Sequence, residues 1–441
     1  MASDATRPEA ILADFLRQVH FPPRPKLRPP ASSNQPPTPW TVILVGSTGF
    51  LGTYLLSTLN ALPPSRLRRV HCLDRSPEAS SRATAALHSG NHPPLDVRFT
   101  FHQVHFDRPT LGLDAPTQHL LTTTATIIIH NAWPVSFALP LASFLPHLTA
   151  VRDLLALAHR SPLPTAPLVL FISSLGVGYE SNTIPVPESL IPTARVFAIP
   201  PSVLDGADTR ATAAGYAQSK HIAEFMLATY ARSTGSPAAV IRPGQLAGPV
   251  LEGVEGPAWP VRQWFPTLLR ASKVMGVIPD ELGAYEREYW MPGDLAGRVV
   301  LEVAESVLEG YEKGGGGGGE MPIFNLANPH QGRFGDLVPL FRRVVAARTV
   351  PIEEWVRMLV ERAEREPKMP GARLVEYYKR LFVGERENIA IDTDKLVAAS
   401  RTARVGSRAV DQEWMAKWLK QWGMMEGEGA KGGKGEVKAK L

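Results

Sequence analysis

The chain has one cysteine, Cys72. A single thiol excludes an internal disulfide and a cysteine-based zinc cluster, and it suits a reducing compartment. No apolar run reaches the ~18 residues needed to cross a bilayer, so no membrane partner is expected. No apolar h-region follows Met1, and the default location is cytoplasmic. Charge of one sign is also scarce. The formal net charge is +5, and lysines in the glycine-rich tail supply part of it, so no nucleic-acid partner is expected. The 12 histidines show no HExxH or paired spacing, so no metal site is expected. No GxSxG nucleophile elbow is present.

What is present has the balance of a soluble globular protein: 44% apolar and 20% charged residues. The 441 residues allow one large domain or two ordinary ones. Proline concentrates in the first 40 residues, where PPRPKLRPP and NQPPTPW exclude regular structure; only Pro8 to Val19 there reads as a short helix.

The organising stretch is TVILVGSTGFLGTYLL, Thr41 to Leu56. Thr41 to Val45 is a β-branched run that reads as a buried strand. Gly46, Gly49 and Gly52 follow, and then a helical apolar pattern begins. Strand, glycine turn and helix together form a nucleotide-binding unit. Gly46 permits the turn, Gly49 carries no Cβ to hold a pyrophosphate away, and Gly52 lets the helix pack on the strand. The phosphates would sit at the helix N-terminus. Gly46, Thr48, Gly49, Phe50, Leu51 and Gly52 are therefore candidate cofactor residues. The spacing is GxxGxxG rather than the commoner GxGxxG.

Further strands are expected at Leu67 to Leu73, Asp96 to Phe106, Ala125 to His130, Leu168 to Ile172 and Ala238 to Ile241. Helical patterns at Leu148 to His159 and Tyr216 to Ser233 alternate with them. Short, continuous apolar strands alternating with helices imply a parallel sheet covered on both faces. Ligands then gather at the strands' carboxyl ends, where each polar cluster falls. The fold expected is α/β: a Rossmann-type doubly wound parallel sheet with a smaller, mostly helical C-terminal substrate domain. The nucleotide-binding part spans 41–250, with 285–330 returning to it. The substrate part spans 251–284 and 331–425. The segment 1–40 is a proline-rich N-terminal segment that reads as an extended linker, and 426–441 is a low-complexity tail expected to be disordered. Six consecutive glycines, Gly314 to Gly319, read as a flexible loop, and Pro322 to Leu326 as a last strand.

Tyr216 and Lys220 stand four apart on one helical face. A nearby ammonium favours phenolate and is expected to lower the tyrosine pKa, making the phenol a better acid. A solvated helix face on which both side chains simply meet water is the plain alternative for this pair. Ser174 ends the fifth strand, where a hydroxyl can bind a substrate carbonyl; a turn serine is the alternative. Strand alternation turns only one of Ser173 and Ser174 toward the cleft. At the end of the second strand, Asp74 suits a free ribose 2′-hydroxyl and Arg75 a 2′-phosphate. Both are present, and Arg75 with Arg82 favours NADP. Asp107 ends the third strand. Asn131, Ala132 and Trp133 follow the fourth, where the chain passes close to the cofactor, although core packing also explains Trp133.

Taken in order, these residues resemble the extended short-chain dehydrogenase/reductase superfamily. The finer likeness is to the thioester reductase domains of nonribosomal-peptide-synthetase-like enzymes and carboxylic acid reductases. It is carried by LDRS at 73–76, HNAWPVSF at 130–137, FISSLGV at 171–177, GYAQSK at 215–220, IRPGQLAG at 241–248, NLANPH at 325–330 and EEW at 353–355. The resemblance implies Ser174, Tyr216 and Lys220 as a catalytic triad. It adds Pro243 and Gly244 to the cofactor contacts. The family has a neutral residue where this chain has Asp74. No GGxS-type carrier serine motif is visible, so a phosphopantetheinyl carrier on another chain is the expected acyl donor. The expected reaction is NADPH-dependent reduction of a carrier-bound acyl thioester to an aldehyde, with the alcohol left open. The alternatives are a carbonyl reductase of free aldehydes or ketones, a sugar-nucleotide epimerase, and a non-catalytic nucleotide sensor.

Overall fold

The computed structural model describes residues 7–24, 38–136, 139–180, 184–197, 209–253, 256–314, 320–345, 348–382 and 389–425. The expectations for most of the proline-rich segment, for the glycine run and for the tail lie outside the described residues. The chain forms two compact units. The first is Met1–Pro257, Tyr289–Pro329 and Ile389–Arg408; the second is Ala258–Glu288, His330–Asn388 and Ala409–Leu441.

The first unit opens with α1 (Pro8–Gln18), which has proline in its first turn and buries Ile11, Leu12 and Phe15. Then come β1 (Trp40–Val45), α2 (Phe50–Asn60), β2 (Leu67–Asp74), α3 (Ala79–Ser89), β3 (Phe99–Gln103), α4 (Ala115–Thr124) and β4 (Ile127–His130). They are followed by α5 (Leu145–His159), β5 (Leu168–Ile172), α6 (Thr209–Thr234), β6 (Ala238–Pro243), α7 (Gly293–Lys313) and β7 (Ile323–Leu326). The seven strands form one sheet in the order β7-β6-β5-β4-β1-β2-β3, and every pairing in it is parallel. Strand order reverses between β1 and β4. Connections between parallel strands follow the right-handed rule, so crossovers running outward in both directions from the reversal put helices on both faces. Sheet-facing runs such as Val42 to Val45 and Ile127 to Ile129 are buried accordingly. The crevice at the reversal, outside the carboxyl ends of the strands, is where this architecture binds ligands.

Three details differ from the sequence reading. Leu141–His159 is long and apolar enough to cross a membrane by composition. Its leucines and valine, Leu148, Val151, Leu154 and Leu155, are instead spent in the core of the first unit. Helix α6 begins near Thr209, about two turns before Tyr216, so the tyrosine sits inside a helix rather than at its start. The segment Ile389–Arg408 belongs to the first unit, although the sequence assigned it to 331–425. The Glu188 carboxylate explains this: it accepts N–H bonds from Asn325 (2.9 Å) and Leu396 (3.1 Å), and a short one from Lys395. Asn325 Nδ2 also donates to the carbonyls of Val186 and Asp392, both at 2.9 Å.

The second unit is mostly helical, with helices Trp264–Met275, Phe334–Val345, Ile352–Arg365, Val375–Phe382 and Gln412–Gln421. Aromatic residues build its core. Trp259 stacks on Phe265 at 5.5 Å and meets Trp418 edge-on at 5.3 Å. Polar ends of these rings are satisfied inside the unit: Trp355 Nε1 donates to Ser272 Oγ at 2.9 Å, and Tyr378 Oη to the Trp264 carbonyl at 2.6 Å.

Candidate active site

The glycine loop joins β1 to α2. Gly46 has φ +86°, the left-handed region that favours glycine, and an added Cβ would lie 2.8 Å from Ala132 Cα. A Cβ on Gly52 would meet the Gly46 carbonyl oxygen at 2.4 Å, so close helix–loop packing demands glycine there. Gly49 is different: a side chain there would touch no protein atom within 4 Å. It is the N-cap of α2 and offers no side chain to the first-turn N–H groups. Those donors and that clearance fit a phosphate group. Phe50 and Leu51 form the first turn; Leu51 is buried and Phe50 packs edge-on to Tyr54 at 5.3 Å.

The loop is held from two sides. Asn131 Nδ2 donates to the Gly46 carbonyl at 2.9 Å. Asp74 takes Ser47 N–H at 3.0 Å and Ser47 Oγ at 2.6 Å, and hydrogen bonds from Thr48 add to these. Burial raises the Asp74 carboxyl pKa, and the Ser47 and Thr48 donors oppose the rise. Asp74 therefore braces the glycine loop. The sequence had paired it with a ribose hydroxyl; its two oxygens are instead turned onto the loop, because the tight glycine turn brings two buried donors within reach of a strand-end carboxylate. Arg75, the next residue, is exposed, as are Arg82 on α3 and Asp107 after β3.

At the end of β5 the two serines face opposite ways, as strand alternation demands. Ser174 Oγ accepts Gly176 N–H at 3.0 Å and shares a hydrogen bond with Tyr216. Ser173 Oγ donates to Glu224 Oε1 at 2.6 Å. Glu224 in turn holds Arg242 of β6 through two bonds, 2.9 Å and 2.6 Å, with neither side chain exposed. Burial would raise the Glu224 carboxyl, yet Arg242 outweighs it and the pKa is lowered. This buried group was not foreseen. An arginine in an apolar strand was its signal, since a buried guanidinium requires a partner.

Tyr216 and Lys220 lie one turn apart on α6, both buried. Lys220 Nζ donates to the Ile172 carbonyl at 2.5 Å, beside Ser173 and Ser174. Burial holds its pKa well below the ordinary lysine range, with Glu224 pulling upward. Burial pushes the Tyr216 phenol up to about 12, and the Ser174 hydrogen bond pulls it down. The sequence expectation of a lowered phenol pKa is thus reversed here, because desolvation of the phenol exceeds the help it receives. Trp133 packs over Lys220, while Asn131 and Ala132 adjoin Gly46. Pro243 and Gly244 meet Leu175, the residue after Ser174: Leu175 N–H donates to the Pro243 carbonyl at 3.0 Å, and a Cβ on Gly244 would lie 2.9 Å from Leu175 Cδ1. His130, buried at the end of β4 among Phe106, Trp133 and Phe171, is held neutral by burial and by Lys220. Among the described residues no cluster of three or more His, Cys, Asp or Glu side chains could hold a metal ion.

A parallel sheet with this reversal, a glycine loop at its crevice, and a serine, tyrosine and lysine at the adjoining strand end define a short-chain dehydrogenase/reductase-like class. The sequence comparison narrows it. Residues 44–300, more than half of the chain, match the male sterility protein family of NAD-binding domains, and the chain belongs to that family. It is similar to the carboxylic acid reductase of Neurospora crassa, at 28% identity over 94% of this chain and 37% of that protein. It is also similar to an adenylate-forming reductase of Serpula lacrymans, at 32% identity over 77% of this chain and 30% of that protein. The chain thus spans about a third of the length of these curated relatives. Among solved structures, the terminal R domain from the myxalamid PKS-NRPS biosynthetic pathway shares the fold. Its TM-score is 0.68 at 22% identity, covering 94% of this chain and 99% of that one. The homologues are reductases, and the family implies a nicotinamide cofactor.

Proposed function

We propose that the chain reduces a carrier-bound acyl thioester with NADPH and releases an aldehyde. The observation that carries this reading is the hydrogen-bonded Ser174–Tyr216 pair at the end of β5, with Lys220 one helical turn away. Gly46, Thr48, Gly49, Phe50, Leu51 and Gly52 would hold the cofactor's phosphates, and Asn131, Ala132, Trp133, Pro243 and Gly244 would line its path. Arg75, with Arg82, would meet a 2′-phosphate; Asp74, spent on Ser47, does not compete with it. The bound cofactor supplies a hydride.

The chain's own residues do the rest. Ser174 and Tyr216 donate hydrogen bonds to the carbonyl oxygen as charge grows on it. Tyr216 gives up its proton to that oxygen, and the Ser174 hydrogen bond, which pulls the phenol pKa down against burial, favours the transfer. Lys220 holds positive charge near the phenol and the ribose. The hemithioacetal so formed collapses to aldehyde and free thiol. The similarity to adenylate-forming and carboxylic acid reductases supports a thioester donor over a free ketone.

The test is NADPH consumption with an acyl group on a phosphopantetheinyl carrier, against the free acyl-pantetheine, a free aldehyde and a nucleotide sugar. The highest kcat/KM is expected for the carrier-bound thioester. Turnover of the free aldehyde alone would make the chain a carbonyl reductase instead.

A further inference from the structure

Lys220 is only 3% exposed, and a buried ammonium needs compensation. The carboxylate that acts on it, Glu224, is already bidentate with Arg242. One hydrogen bond goes to the Ile172 carbonyl. Two aromatic rings lie beside it: Nζ is 4.5 Å from the centre of the Trp133 ring and 4.7 Å from that of Phe171. Both distances are within the range in which a ring face attracts a cation.

The Trp133 ring is itself fixed. Its Nε1 donates to Ser219 Oγ at 3.2 Å, and Ser219 Oγ donates to the Tyr216 carbonyl at 2.7 Å. Its face lies nearly parallel to Phe144, 13° apart at 6.3 Å, and its edge meets Phe171 at 5.5 Å. The indole is therefore fastened to the helical turn that separates Tyr216 from Lys220.

We propose that Trp133, with Phe171, is an aromatic seat that keeps Lys220 charged and in place beside Tyr216, so that Trp133 is a positioning residue for the proton-donating pair. This rests on the reading of Ser174, Tyr216 and Lys220 given above. The other ionisable groups facing Lys220 do not supply the seat. Glu224 on α6 favours the ammonium but shares its charge with Arg242 of β6. His130 on β4 and His147 on α5 are both held neutral by burial, His147 with a pKa of about 4, so they neither add to the positive charge nor offset it. Burial alone pulls the Lys220 pKa down. Loss of a desolvated ring face should pull it further.

The test follows the lysine directly, in protein labelled with 13C at lysine Cε, with the Lys220 signal assigned by its loss in Lys220→Arg. Trp133→Leu should lower the midpoint of that signal by about one pH unit, and Trp133→Phe, which keeps a ring but loses the anchor, by less than half of that. The alkaline limb of kcat at saturating NADPH should move by the same amount. Ser219→Ala, which frees the indole without removing it, should move both by a smaller step. An unmoved Lys220 midpoint in Trp133→Leu overturns the seat. If that variant does not fold, an unmoved midpoint in both Trp133→Phe and Ser219→Ala overturns it. A different result separates the two readings: a shifted midpoint with turnover insensitive to Lys220→Ala leaves the seat standing and removes the catalytic assignment.

Discussion

Asp74→Ala distinguishes bracing of the glycine loop from reading of the ribose. A carboxylate that bound a 2′-hydroxyl would, when lost, weaken NADH and spare NADPH. Here both oxygens lie on Ser47, with Thr48 adding further donors. Truncation orphans Ser47 N–H and Oγ in a buried setting. Hydrogen bonds to a charged group contribute about 1.5–3 kcal/mol, and an orphaned buried group costs about 1–3 kcal/mol. The burial of Asp74 opposes its own charge and offsets part of this, which leaves a net loss of roughly 2–3 kcal/mol of loop order. At 1.4 kcal/mol per factor of ten, the Kd should rise roughly 30- to 100-fold, and equally for NADPH and NADH. Titration of the two cofactors by nicotinamide fluorescence measures both. Ser47→Ala should reproduce the direction with a smaller effect. A loss confined to NADH would refute the bracing role and restore Asp74 to the ribose.

The other outcomes are as distinct. Arg75→Ala should raise the KM for NADPH roughly tenfold and leave that for NADH nearly unchanged, and an equal effect on both would remove the 2′-phosphate role. Ser174→Ala should lower kcat by roughly 10²–10³ with little change in Tm, as expected for one oxyanion donor. Ser173→Ala should do the opposite: it should cost about 1–3 kcal/mol in denaturant unfolding by leaving Glu224 short of a donor, and spare kcat. Glu188 is buried, which pushes its pKa up to about 7 against the N–H bonds from Asn325, Lys395 and Leu396. A folded-state pKa raised above the unfolded value of 4.5 gives stability that is present below that value and lost as pH rises toward 7. The Tm of the wild type should therefore fall relative to Glu188→Gln between pH 5 and 7, roughly the interval between those values, and a pH-independent difference would contradict this.

The sheet was legible in the chain because its strands are buried on both faces and read as continuous apolar runs. Ile127 to Ile129 and Leu168 to Ile172 could hardly be anything else once helices alternated with them. The glycine loop was legible for a local reason: Gly46 and Gly52 answer to backbone approaches of under 3 Å that only glycine allows. What escaped the sequence is what depends on distant partners. Asp74 sits where a ribose-reading acid would sit, and only the fold shows its oxygens on Ser47. Lys220 and Tyr216 were visible as an i, i+4 pair, but not the depth of burial that reverses the tyrosine's shift. The return of Ile389–Arg408 to the first unit rests on Glu188 and Asn325, more than sixty residues away along the chain, and no periodicity marks such a contact.

The central claim is that Tyr216 delivers a proton to a thioester-derived oxyanion. Tyr216→Phe keeps the ring packed 6.2 Å from Phe144 and removes only the hydroxyl that meets Ser174. The decisive measurement is the single-turnover rate of NADPH oxidation by this variant with a carrier-bound acyl thioester. The account predicts a fall of roughly 10²-fold or more, with NADPH Kd unchanged within a factor of about two. Turnover near the wild-type rate would contradict it.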